Sequence, residues 1–97
     1  MIVEIQCLPT PAGTPDDPHA TVEAAIAVIT DSGLHYEVGP LGTTVEGEPD
    51  DVWPVLRRAH EACLEAGATT AIAMVKIAEM AGPQAKSMDE LTRKFRP

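Results

Sequence analysis

The side chains best suited to chemistry lie in one run, Gly33 to Glu48, which carries His35, Glu37, Thr43, Thr44 and Glu46. β-Branched and aromatic residues alternate there with polar ones, and glycines bracket the run. The pattern predicts two short strands joined by a tight Gly39-Pro40 connection. A period of two puts Leu34, Tyr36 and Val38 on one face and His35 and Glu37 on the other; in the return strand Thr43 and Val45 oppose Thr44 and Glu46. Two carboxylates therefore belong to the more polar face, where they must meet lysine, water or a cationic ligand. His35 beside Glu37 could also form an acid/base pair, although nothing nearby supplies a nucleophile.

These residues must be positioned by the elements around them. Met1 to Leu8 reads as a strand with Val3, Ile5 and Cys7 on one face and Ile2, Glu4, Gln6 and Leu8 on the other. Pro9 to Asp17 has no periodicity and reads as a loop. Asp17 followed by Pro18 suits a helix start, and Val22, Ala25, Ile26 and Ile29 trace one helical stripe that ends at Ser32-Gly33. A second helix is expected with Asp51 as N-cap, which puts Pro54 at the third position, where it loses no hydrogen bond. Val52, Leu56, Ala59, Cys63 and Ala66 form its stripe, and Gly67 ends it. Thr69 to Glu79 reads as the last strand, with Ala71, Ala73, Val75 and Ile77 on one face and Ile72, Met74, Lys76 and Ala78 on the other. After a loop at Gly82-Pro83, Ser87-Met88-Asp89-Glu90 is a capping box opening a short basic helix that reaches Phe95. That helix has too little apolar surface to stand alone and should dock on the body or on a neighbouring subunit.

The order β-α-β-β-α-β plus a terminal helix predicts an α+β, ferredoxin-like sandwich: a four-stranded antiparallel sheet with two helices on one face. The 97 residues make one domain, residues 1–97. The first and third strands should be central. The face away from the helices then carries Glu4, Gln6, Thr44 and Glu46 in its middle, flanked by Glu37, His35, Lys76 and Met74. Ile2, Leu8, Ile72 and Met74 make that face too apolar for water alone, and a second subunit's sheet is the simplest cover. Glu4 and Lys76 can form a cross-strand ion pair. Glu46 has no evident cationic partner, which points it toward a ligand.

Composition narrows the function classes. Fifteen acidic against seven basic residues give a formal net charge of −8, which argues against nucleic acid and favours cationic ligands. With only three aromatics, Ala, Val, Ile and Leu must build the core, so self-association is an expected supplement. No stretch approaches membrane-spanning length, and a cytoplasmic location is expected. Cys7 and Cys63 fall on apolar positions, as reduced core thiols do. His60 three residues before Cys63 has the spacing of two metal ligands, but no further ligands converge, so no metal is expected. Both helix N-termini carry acids, Asp16-Asp17 and Asp50-Asp51, which disfavours a phosphorylated ligand.

Residues 32–48, containing Gly-Pro-x-Gly-Thr-x-x-Glu-Gly at Gly39 to Gly47, resemble the signature of the small thiamine-binding protein family. So do Arg58-Ala59-His60-Glu61, Glu65-Ala66-Gly67-Ala68, the strand ending Lys76-Ile77 and the closing Ser87-Met88-Asp89-Glu90. The resemblance covers nearly the whole chain, with a departure at Ala78-Glu79-Met80-Ala81, where charged, often basic residues are expected. It implies a ferredoxin-like domain that assembles as dimers or tetramers and binds thiamine or its aminopyrimidine portion without a catalytic step. Thr43, Thr44 and Glu46 carry over from the motif as ligand-binding residues. Strand parity adds Glu4, Gln6, Glu37 and Lys76. The competing readings are a small oligomeric enzyme using His35 and Glu37, and a purely structural oligomer.

Overall fold

A computed structural model describes residues 1–83 and 85–97. The elements run β1 (Ile2–Thr10), α1 (Ala20–Thr30), β2 (His35–Val38), β3 (Thr43–Glu46), α2 (Pro49–Glu65), β4 (Thr70–Ala78) and α3 (Met88–Thr92), followed by a 3-10 turn at Arg93–Phe95. The strands form one antiparallel sheet in the order β2-β3-β1-β4, the expected split βαβ arrangement with β1 and β3 in the centre.

The core lies between the sheet and the two long helices. Val3, Ile5 and Val45 project from the central strands against Ala25 and Ile29 of α1 and Val52, Val55, Leu56, Ala59 and Cys63 of α2. Parity and burial agree along β1, where Val3 and Ile5 are buried while Glu4 is exposed. The β2–β3 register pairs Tyr36 with Val45 and Val38 with Thr43, so all four belong to the helix side. Only the β3 members are buried. Tyr36 and Val38, which alternation put on one face with Leu34, remain 39% and 46% exposed. β2 is an edge strand at the margin of the helix layer. Val75 and Ile77 are exposed on the opposite edge for the same reason.

β4 is one residue shorter at each end than expected, and three other element boundaries shift further. β1 continues through Pro9 and Thr10, which pair with Ala71 and Thr70. Helix α1 begins at Ala20 rather than beside Asp17, because Thr14 and Asp17 close a turn with reciprocal main-chain bonds of 2.9 and 3.1 Å. The Thr21 hydroxyl then donates to the carbonyls of Pro11 and Ala12, tying that loop to the helix. Helix α2 starts at Pro49 with Glu48 as N-cap, not at Asp51, so proline takes the first position, where its fixed φ fits. Pro54 consequently lies inside the helix on its exposed side, where water can satisfy the carbonyl it leaves free. Ala66, expected on the buried stripe, is the exposed C-cap residue. Gly33, following α1, has φ of 82°, a left-handed conformation that only glycine adopts without strain.

Candidate functional site

The hairpin turn Gly39–Gly42 closes with a 2.8 Å bond from the Gly39 amide to the Gly42 carbonyl. Gly42 lies so close to β1 that an added Cβ would stand 3.2 Å from both Glu4 Cγ and the Ile5 carbonyl. Glycine here lets the turn press against the strand that carries Glu4. A hollow opens on each side of the turn.

The open-face hollow, about 280 Å³, is lined by Glu4, Glu37, Thr44 and the turn. Strand register explains the grouping. Glu4 pairs with Thr44 on one side and Lys76 on the other, and Thr44 pairs with Glu37, giving a row Glu37, Thr44, Glu4, Lys76 straight across the sheet. With neighbouring strands about 4.8 Å apart, two carboxylates flank one threonine. The Lys76 ammonium is 3.5 Å from Glu4, an exposed pair that leaves room for a ligand's charge to compete. The helix-side hollow, about 210 Å³, is lined by the same turn, Gln6, Thr43 and the inner face of α1.

Five of the seven expected ligand-binding residues thus border the turn, with Lys76 at the end of the row. Glu46 does not join them. Its carboxylate accepts a 3.0 Å bond from the Met88 amide, which attaches the first turn of α3 to β3. Its partner is a helix N-terminus rather than a cation, an anion site supplied by the chain itself.

The terminal segment docks on its own open face. Met88 is 4% exposed and anchors it. Ser87 and Glu90 form the expected capping box. Asp89 lies 3.1 Å from His35 Nε2, and Arg96 bonds Glu37 at 2.9 Å and approaches Asp89 at 3.5 Å. Sequence reasoning missed Met88, Asp89 and Arg96 as neighbours of the site. Their only signal was a capped basic segment in a chain with an acidic sheet face. His35 and Glu37, the pair an enzymatic reading would use, are both engaged by this segment.

The hydrogen bond from His35, with the charges of His35, Arg96 and Arg93, holds the Asp89 carboxyl below its ordinary value. A folded-state value lowered in this way stabilises docking above the unfolded value and is lost as pH falls through the lowered one. The Met88 methyl resonance should therefore keep its buried shift at neutral pH and move toward a solvent-exposed position in acid. A shift unchanged below the usual carboxylate range would show that Asp89 does not hold the segment.

Burial and then the neighbouring Cys63 push the Cys7 thiol up to about 12, and burial also raises Cys63. Both are neutral thiols at neutral pH, so neither is poised as a nucleophile. Among the described residues His60 Nδ1 is buried without a partner, and Cys63 donates to the Ala59 carbonyl of its own helix. Among the described residues, no three His, Cys, Asp or Glu side chains converge as a metal site would require. No helix among them is long and apolar enough to cross a membrane.

Residues 3–96 match the protein family described as "Thiamine-binding protein". The chain is similar to a UPF0045 protein of Clostridium perfringens, 37% identical over 78 residues that make up 80% of each chain. Among solved structures it resembles a DUF77 domain of unknown function from Bacillus cereus, with 35% identity and a TM-score of 0.78 over 99% of this chain and 91% of that one. It also resembles a Thermotoga maritima protein described under thiamine biosynthesis or salvage, with 29% identity and a TM-score of 0.80 over 98% of this chain and 97% of that one.

Proposed function

Because the chain belongs to the thiamine-binding protein family, we propose that it is a non-catalytic, cytoplasmic binding protein for thiamine or its aminopyrimidine portion. The ligand is held at the hairpin turn on the open sheet face, and a second copy of the chain closes over that face in a dimer or tetramer. The observation that carries this reading is the row of Glu37, Thr44 and Glu4 lining one hollow beside the Gly39–Gly42 turn. Thiamine's thiazolium has a permanent positive charge that two carboxylates offset, and the threonine hydroxyl can donate or accept. Arg96 already rests on Glu37, so part of this face accommodates a planar cation in the free chain. Assembly is supported by Leu8, Ile72, Met74 and Met80, which leave large apolar side chains exposed on or beside the open face. A sheet-on-sheet contact would remove them from water and seclude the acids.

Thermal unfolding with thiamine, read beside native mass spectrometry, tests the reading. A ligand at about 100 times its dissociation constant stabilises the folded state by about 2.7 kcal/mol, which for a domain of this size raises Tm by roughly 10–20 °C. Neither a shift nor a bound molecule at millimolar thiamine or hydroxymethylpyrimidine would overturn it. An empty oligomer would then favour a purely structural role.

A further inference from the structure

The hairpin is shorter than the strand beside it. β3 pairs with β1 only over Ile2–Ile5, while β1 runs on to Thr10 along β4. Met1 and Gly47 each donate to the other's carbonyl, at 3.0 and 3.1 Å, a closely spaced pair at the start of the β1–β3 ladder. Antiparallel alternation then turns the amides and carbonyls of Val3, Ile5, Cys7 and Pro9 toward the β3 side. Val3 and Ile5 meet Val45 and Thr43 there, but beyond Ile5 no strand remains. Pro9 has no N–H to leave unpaired. Among the described residues the Cys7 amide and carbonyl meet no main-chain partner on that side, and Cys7 lines the helix-side hollow.

The rest of that hollow is mostly apolar, with Gln6 and Thr43 as its polar side chains. Val22, Ala25, Ile26 and Ile29 of α1 form its wall, and Leu41 of the turn closes it. Of the two polar side chains, Thr43 is 4% exposed. Among the described residues its hydroxyl has no hydrogen-bond partner. A hydroxyl that lines a hollow beside the free edge of β1 at Cys7 is an arrangement a ligand can complement. That complement is flat, uncharged and mostly apolar, with a donor and an acceptor adjacent on one edge. An aminopyrimidine has this form, its exocyclic amine beside a ring nitrogen. A hollow of about 210 Å³ suits one ring with small substituents.

We propose that this notch is the subsite for a neutral aminopyrimidine ring, read by the main chain of Cys7 and the hydroxyl of Thr43. The acids Glu4 and Glu37, on the other side of the turn, are left for positive charge. The proposal rests on the reading that the protein binds thiamine or its pyrimidine portion at the hairpin turn, and it refines that reading by moving the pyrimidine half to the α1 side of the turn while the charged half stays on the open face. The high value of the Cys7 thiol agrees with a role through its main chain.

The test is calorimetric titration of the full chain with hydroxymethylpyrimidine and with thiamine, in the wild type, Thr43→Val, Thr43→Ser and Ile26→Trp, beside an amide NMR spectrum of the wild type. Thr43→Val keeps shape but removes the hydroxyl, and should weaken both ligands about 3–10-fold. Thr43→Ser should restore most of that loss, and Ile26→Trp should abolish binding of both by filling the hollow. The Cys7 amide should move downfield when hydroxymethylpyrimidine is added. Wild-type affinities in Thr43→Val and Ile26→Trp, with the Cys7 amide unmoved, would overturn the notch while leaving the thiamine reading standing. Failure of the wild type to bind either ligand would overturn both.

Discussion

Truncating Ile29 to alanine should lower the unfolding free energy by about 2–5 kcal/mol, the range for removing a buried aliphatic side chain when the cavity closes only partly. Ile29 is 1% exposed and among the largest fully buried side chains, together with Val3, Val45, Val52 and Cys63. It joins α1 to the sheet in a core that has few alternatives, since most of its other members are alanine and valine. Domains this small have about 5–15 kcal/mol in all, so one truncation removes a large share. In urea, the midpoint should fall with little change in slope. A loss below 1 kcal/mol would mean that α1 is not seated as described.

Glu4→Gln should weaken thiamine by about 10–100-fold, the loss expected when one charge-assisted contact of about 1.5–3 kcal/mol disappears. Its stability should change by only about 0.5 kcal/mol, because the Glu4–Lys76 pair is exposed and such pairs contribute little. Glu46→Gln is the informative contrast. Glu46 accepts the Met88 amide, so this variant should loosen the terminal segment and leave thiamine affinity nearly intact. Calorimetry of both variants separates the two carboxylates. Equal losses would return Glu46 to the ligand site, and unchanged affinity in Glu4→Gln would remove Glu4 from it.

The two carboxylates show how far local pattern reaches. Alternation alone put Glu4 and Glu46 on the same face, and their register confirms it: Ile2 pairs with Glu46 and Glu4 with Thr44. Alternation could not say which of the two would be taken by the tail. That depends on where residues about 40 positions away come to rest, which no periodicity encodes. The capping box at Ser87 was legible because it is a four-residue pattern with its own hydrogen bonds, whereas its landing point on Glu46 was not. Helix starts failed for a related reason. Asp17-Pro18 and Asp51 are sound local signals, but the turn that Thr14 and Asp17 close moved one boundary, and Pro49 behind Glu48 moved the other.

The chain's own pattern was enough for the element order, the ferredoxin-like fold, the parity of each strand and the family, because these follow from periods of two and 3.6 residues and from a contiguous Gly-Pro-x-Gly-Thr-x-x-Glu-Gly segment. Tertiary structure decided which residues meet. The hairpin turn had been expected to serve one polar face. In the fold it borders two hollows, acidic on the open side and nearly apolar beside α1, because β3 stops at Thr43 while β1 continues past it. The relative lengths of two paired strands exist only once the strands are side by side.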